Sequence, residues 1–348
     1  MNVHVNIKDD LENMPLTFEN RCMALVEELE IGCRADVQEV RPLTGGVASD
    51  IGVVRLTDRV ICVKFALGKL KVAADWRAPV HRNRAEYEWL RFAQSVAPRN
   101  SLELYGCSEK LQGFAMEYLD GADVFLWKAQ LLEGATPQGG AARTANLLGR
   151  LHAASTAPGF DAAPFHNQGD FRQLRLDPYL SYTADKNPDV AEILRRLAET
   201  LFAASAVLVH GDVSPKNILF RSDLPILLDA ECATMGDASF DPAFCMNHLV
   251  LKAFHRPRDH AALLAEVAAF WAAYARYITW EDPSVLEART ALVLAALMLA
   301  RVDGKSPVEY LDAVAREQVR ACALDLLTTP ATRVGDVLTR LKMNEGFQ

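Results

Sequence analysis

His210-Gly211-Asp212-Val213-Ser214-Pro215-Lys216-Asn217 is the stretch on which the reading of this chain turns. An apolar run, Ala206-Val207-Leu208-Val209, leads into it, and a second, Ile218-Leu219-Phe220, follows. A third, Pro225-Ile226-Leu227-Leu228, delivers Asp229-Ala230-Glu231. The polar residues Arg221-Ser222-Asp223-Leu224 join the last two runs, which are therefore expected to form a hairpin. One loop thus carries an acid and an amide, and the neighbouring strand ends in a second acid.

These residue types suit phosphoryl transfer, which asks for in-line positioning and cations on the phosphate oxygens rather than covalent work by the protein. Magnesium takes oxygen ligands, usually one or two carboxylates with phosphate and water. Asp229 and the amide oxygen of Asn217 offer such oxygens. Asp212 can accept a hydrogen bond from an attacking hydroxyl and later its proton. The bland alternative is a polar loop between buried strands. Two linked motifs at this separation favour the chemistry.

The pattern H-x-D-x-x-x-x-N, followed after a hairpin by an Asp, resembles the catalytic and metal-binding segments of the protein kinase-like superfamily. The forms H-G-D and D-x-E resemble the branch of aminoglycoside phosphotransferases, choline kinases and methylthioribose kinases. The resemblance spans about residues 36–257. It implies an α+β, two-lobe kinase-like fold: a small, mainly antiparallel β lobe with a helix over 1–118 (the first sixteen residues loose), then a larger α-rich catalytic and substrate lobe over 119–348, with the nucleotide between them. It implies ATP and Mg2+ as cofactors, with Asp212 as base or orienter and Asn217 and Asp229 as metal ligands. The implied acceptor is a hydroxyl of a small molecule that is aminoglycoside-, choline- or methylthioribose-like. The alternative is a kinase-fold protein that binds a nucleotide or metabolite without turning it over. Protein kinases place a lysine two residues after the catalytic Asp. Here that residue is Ser214 and the lysine is Lys216, which argues against a protein substrate.

Upstream, Phe18 to Leu29 has helical spacing and Val37 to Val40 is expected as a strand. Leu43-Thr44-Gly45-Gly46-Val47-Ala48-Ser49-Asp50 separates it from two further strands, Ile51 to Leu56 and Val60 to Phe65. Glycines let backbone amides approach phosphate oxygens, so this is either a phosphate-covering hairpin or an ordinary tight turn. In the resembled family the loop reads roughly G-G-x-x-S, which Gly45, Gly46 and Ser49 match.

Lys64 lies in Val60-Ile61-Cys62-Val63-Lys64-Phe65, with Val63 and Phe65 on the opposite sheet face. A lysine in so apolar a strand needs a partner or ligand, or else sits at an edge and reaches solvent. The kinase reading supplies nucleotide phosphates and a glutamate from the helix expected over Val80 to Val96. Glu86 is the expected partner there, with Glu88 as the fallback. The basic segment Lys69 to Pro79 with Trp76-Arg77 is either a substrate contact or a solvated connector.

Gly113 to Gly121 resembles the strand and hinge between kinase lobes. Glu117 to Leu119 would offer backbone groups to adenine, and Met116 would line the base pocket. The alternative is a plain strand ending in an Asp-Gly turn.

After the hinge, alanine and leucine enrichment predicts helices. One runs over Ala141 to Ser155 with His152 packed in the core, another over Val190 to Ala206, and residues around 157–170 form a loop. Asp241-Pro242 is expected to cap a helix running to about Phe254. The resemblance gives Asp241 a structural role, bracing the catalytic loop through its backbone. It places Glu231 near the metal or that loop. Helices are expected at 260–277, 285–301 and 308–327, and the polar turn Arg301 to Pro307 either contacts substrate or simply ends a helix.

Composition sets the outer limits. A chain of 348 residues, half of them hydrophobic, can bury a large core of about two domains. The net charge of −8 argues against nucleic acid as a partner. Seven dispersed cysteines are expected to be reduced, in a cytoplasmic protein. No signal-peptide core opens the chain, and the apolar run Ala291 to Ala300 is about half a membrane span.

Overall fold

The computed structural model describes residues 17–43, 49–67, 82–134 and 139–343. The chain divides into two compact units. The first comprises residues 1–83 and 103–118, and the second residues 84–102 and 119–348. The fold is α+β, with a small antiparallel sheet in one unit and a helix-rich second unit.

In the first unit, helix α1 (Phe18–Glu28) is followed by strands β1 (Val37–Pro42), β2 (Ser49–Leu56), β3 (Val60–Ala66), β4 (Leu104–Ser108) and β5 (Gly113–Glu117). They form one antiparallel sheet in the order β1-β2-β3-β5-β4. Strand periodicity of two sorts β3 into two faces. Ile61, Val63 and Phe65 join Cys22, Leu25, Val26, Val54 and Leu56 in the core beneath α1. Lys64 alternates with them and is itself buried, paired in register with Ile51 on one side and Phe114 on the other.

In the second unit, helix α2 (Arg82–Val96) continues from the first, and strand β6 (Val124–Leu126) leads to α3 (Trp127–Glu133) and α4 (Gly140–Ser155). Residues 168–186 are helical throughout: α5 (Gln168–Phe171), a π-helical stretch (Arg172–Ser181) and α6 (Tyr182–Lys186). Helix α7 (Ala191–Ala203) feeds β7 (Val207–Val209). The hairpin expected from sequence is present as β8 (Ile218–Arg221) and β9 (Leu224–Leu227), with β6 added beside β8. Strand β10 (Thr234–Gly236) pairs with β7. Helices α8 (Phe240–His255), α9 (His260–Tyr274), α10 (Pro283–Asp303), α11 (Ala313–Thr328) and α12 (Val334–Met343) complete the unit. Residues 240–254 of α8 are all buried, so this helix is the axis of the unit's core. Among the described residues no helix is long and apolar enough to cross a membrane.

Several expectations needed correction. The loop around 157–170 already contains α5 and a turn of 3-10 helix (Ala163–Phe165). Strands β6 and β10 and helix α12 carried no sequence signal strong enough to announce them. Asp241 does not cap α8. The helix begins at Phe240 behind Ser239, and the Asp241 carboxylate is engaged elsewhere.

Candidate active site

The loop after β7 is held from beneath. Asp241, in the first turn of α8, accepts hydrogen bonds from the backbone N–H of His210 (2.6 Å) and of Gly211 (2.8 Å). A carboxylate can only accept, so His152 Nε2–H donates to Asp241 Oδ2 at 3.2 Å, while His152 Nδ1 meets Tyr274 Oη at 2.8 Å. His152 is fully buried, a core histidine as expected, and it ties α4 and α9 to the carboxylate beneath the loop. Gly211 has φ +80°, and a Cβ there would lie 2.8 Å from Cys232 Cβ, so the turn requires glycine.

His210 is buried, and burial lowers its pKa against the pull of Asp241, Asp212 and Asp229. Its neutral Nδ1 accepts from Asp212 N–H at 3.2 Å. Its ring meets Trp89 of α2 edge-on, with centroids 4.7 Å apart. The histidine of the motif is therefore a buried strut, with Asp212 beyond it.

Asp212 is 4% exposed and heavily engaged. Its Oδ2 receives Arg175 Nη2–H and Lys216 Nζ–H, each at 2.9 Å, and its Oδ1 receives Ser214 Oγ–H at 3.1 Å. Burial alone would raise its pKa, but Lys216 and Arg175 outweigh that effect and hold the carboxyl well below its ordinary value. Asp212 is thus an ionised acceptor at every ordinary pH. Lys216 stands four residues along the loop, one turn of 3-10 helix (Pro215–Asn217), which carries its ammonium back to the acid.

Asn217 is buried, and its Nδ2 donates to the Asp212 carbonyl at 3.1 Å. That bond fixes the amide so that its oxygen points away from the loop backbone. Leu228 N–H donates to the Asn217 carbonyl at 2.9 Å, which sets Asp229 beside Asn217. Asp229 adopts a positive φ of 66°, a strained conformation for a non-glycine residue that is typical of functional positions. An amide oxygen and a carboxylate are hard-oxygen donors of the kind magnesium accepts when phosphate and water complete its shell, so Asn217 and Asp229 could hold such an ion. Glu231 is buried two residues further on.

Arg175 was not singled out from sequence. It sits in the π-helical stretch, donates to the Gly211 carbonyl as well as to Asp212, and is 8% exposed. Its segment, Arg172-Gln173-Leu174-Arg175-Leu176-Asp177, mixes charged and apolar residues, so nothing in the local sequence set Arg175 apart. Pro178, three residues later, is a helix breaker in sequence terms. The helix accommodates it by shifting to wider i→i−5 bonding, as from Tyr182 N–H to the Asp177 carbonyl.

The remaining predicted residues lie in other places. Ser49 is buried at the start of β2, and Met116 and Glu117 end β5. The Glu117 carboxylate accepts from Glu103 N–H at 3.2 Å. Leu119 is half-buried in the second unit. Of the two glutamates on α2, Glu86 is 2% exposed, while Glu88 pairs with Arg91 at 2.9 Å. Gly45 and Gly46, and the segment Lys69 to Pro79, lie outside the described residues.

With this geometry in view, the chain can be set beside known proteins. Residues 39–280 match the model of the phosphotransferase enzyme family. The chain belongs to this family. Among solved structures, this phosphotransferase resembles a choline/ethanolamine kinase family protein from Mesorhizobium loti (16% identity, 94% of this chain and 100% of that one, TM-score 0.51). It also resembles an aminoglycoside phosphotransferase from Alicyclobacillus acidocaldarius (14% identity, 95% and 98% covered, TM-score 0.52). A third is an amicoumacin kinase solved with AMP-PNP, Ca2+ and Ami (13% identity, 92% and 98% covered, TM-score 0.54). At these identities the likeness is one of fold. No curated protein matches the phosphotransferase at the level of sequence.

Proposed function

We propose that this phosphotransferase moves the γ-phosphate of ATP, with Mg2+, onto a hydroxyl of a small molecule. The observation that carries the reading is Asp212: a buried carboxylate, kept ionised by Arg175 and Lys216, on a loop whose Asn217 offers an amide oxygen beside Asp229. In this reading Asp212 accepts the hydrogen bond of the attacking hydroxyl and orients it in line. Held so acidic, it is a weak base. It receives the proton late, when bond formation has already made the hydroxyl acidic, which agrees with a loose transition state. Asn217 and Asp229 would hold Mg2+, which when bound spreads the charge of the phosphate oxygens. Lys64, Ser49, Met116, Glu117, Leu119 and the glycines Gly45 and Gly46 stand as nucleotide-side candidates, and Glu86 as the brace of Lys64.

The test is ADP release with Mg-ATP across a panel of hydroxyl acceptors, with Asp212→Asn run beside the wild type. Turnover on an acceptor is expected to fall by about 10²–10⁴ in the variant, the usual contribution of such a group. An unchanged rate would remove Asp212 from the chemistry.

A further inference from the structure

The part of the second unit next to Asp212 carries Arg301 and Lys252, together with His248 and Tyr310. Arg175 and Tyr179 lie on the same π-helical stretch, four residues apart, so the distance from the Asp212 partner to Tyr179 is on the order of 6 Å along the helix. Tyr179 Oη receives Arg301 Nη1–H at 3.4 Å, and Ser306 Oγ receives it at 3.0 Å. Tyr179 also packs on Phe244, which packs on His248, with centroids 5.6 and 5.4 Å apart. His248 and Lys252 share a face of α8, one turn apart. Lys252 Nζ reaches the His248 carbonyl only at 3.5 Å and lies 5.2 Å over the Tyr310 ring.

Among the described residues neither Arg301 nor Lys252 has a carboxylate at ion-pair distance. The neighbouring acids are turned elsewhere: Asp303 pairs with Arg320 and Glu309 with Lys128. Lys252 is 1% exposed, and the buried atoms Arg301 Nε and Tyr310 Oη have no hydrogen-bond partner. Lys252 is buried and Arg301 partly so, and a charge taken from water without a counter-ion is costly unless a ligand supplies the missing charge.

We propose that His248, Lys252, Arg301 and Tyr310 bind an anionic group of the acceptor, a carboxylate or a phosphate. The phosphotransferase then acts on a hydroxy acid or a phosphorylated polyol rather than on an amine-bearing compound. The polar turn from Arg301 to Pro307 is a substrate contact in this assignment. It rests on the reading of Asp212 as the residue that meets the acceptor hydroxyl.

The experiment uses the full chain with two matched sets: glycerate, glycerol and ethanolamine, and ribose 5-phosphate with ribose. Binding is read by calorimetry and transfer by ADP release with Mg-ATP. In the wild type the anionic member of at least one set is expected to bind about tenfold or more tightly than its neutral counterpart, as a charge-assisted contact allows. A preference within the first set identifies a carboxylate site, and one within the second a phosphate site. Arg301→Gln should abolish that preference, and Arg301→Lys, which keeps the charge, should retain most of it. Lys252→Met supplies an independent variant and should weaken the same preference. Ethanolamine as the tightest ligand, no anionic preference in either set, or equal weakening of anionic and neutral members by Arg301→Gln would each overturn the proposal. Arg301-dependent anion binding without ADP release would instead leave the anion site standing and count against the phosphotransfer reading. Transfer to ethanolamine in preference to glycerate would do the reverse.

Discussion

At the scale of the residue, Asp212 depends on two cations, and they contribute differently. Lys216 is half-exposed, while Arg175 is buried and also holds the Gly211 carbonyl. Removing Arg175 leaves the acid in place with Lys216 as its one cation, beside the Ser214 hydroxyl. Arg175→Met is therefore expected to raise the Asp212 pKa and to destabilise the protein by about 3 kcal/mol, the low end for breaking a buried pair, since Lys216 remains. The sign follows from linkage. The folded pKa of Asp212 is depressed below 3.8, so its stability contribution is full above that pH and is lost as pH falls through the lower, folded value. In the variant the acid limb of kcat/KM should move to higher pH, and an unmoved limb would mean that Asp212 is not the titrating group. Gly211 permits a second prediction. Gly211→Ala puts a Cβ 2.8 Å from Cys232 Cβ at φ +80°, which should cost about 2–4 kcal/mol from left-handed strain plus overpacking, read by denaturant unfolding.

At the scale of the element, α8 places ionisable groups inside a core. The helix is buried on all sides and yet carries Asp241, His248 and Lys252. Burial, with Lys128 and Arg301 nearby, pushes the Lys252 pKa from its ordinary 10.5 down to about 7. Between those two values the unfolded chain binds the extra proton and the folded protein does not, so stability rises with pH across that interval. The cost is full below about pH 7. Lys252→Met should raise the Tm at pH 7 in the absence of acceptor and flatten the climb between pH 7 and 10, checked by melting both proteins across that range. A Tm lowered at pH 7 would mean that the ammonium is compensated in the fold. The π-helical stretch is a second such element. Its wider turn fits Pro178 while presenting Arg175 and Tyr179 toward the loop after β7 and Arg301.

At the scale of the whole molecule, charge is unevenly distributed. The chain is acidic, with a net charge of −8, yet the two charged side chains of the proposed acceptor site, Lys252 and Arg301, are both basic. Global repulsion and local attraction predict opposite responses to salt for an anionic acceptor. Contacts inside a buried site are screened little, whereas long-range repulsion by the net charge is screened strongly, so the long-range term sets the response to salt. The kcat/KM for an anionic acceptor is expected to rise as salt increases from about 10 to 300 mM, across which the Debye length shrinks from ~30 Å to under 10 Å. A fall would show that attraction to the site's own cations governs the encounter.

Much of this was legible from residue order. Apolar runs separated by turns placed β2, β3, β8 and β9, because strand alternation and turn chemistry are local properties. The spacing of Asp212, Asn217 and Asp229 around a hairpin needed no long-range information either, since one short loop and one hairpin bring them together. The sequence could also show that Lys64 shares no face with Val63 and Phe65. Only tertiary structure could decide what surrounds these residues. Arg175 reaches Asp212 from 37 positions away, and Asp241 leaves the role of helix cap to hold the loop backbone from 30 positions further along the chain. Arg301 comes to Tyr179 across 122 residues. Such contacts are made by packing around α8, and packing depends on three-dimensional complementarity that no local pattern encodes.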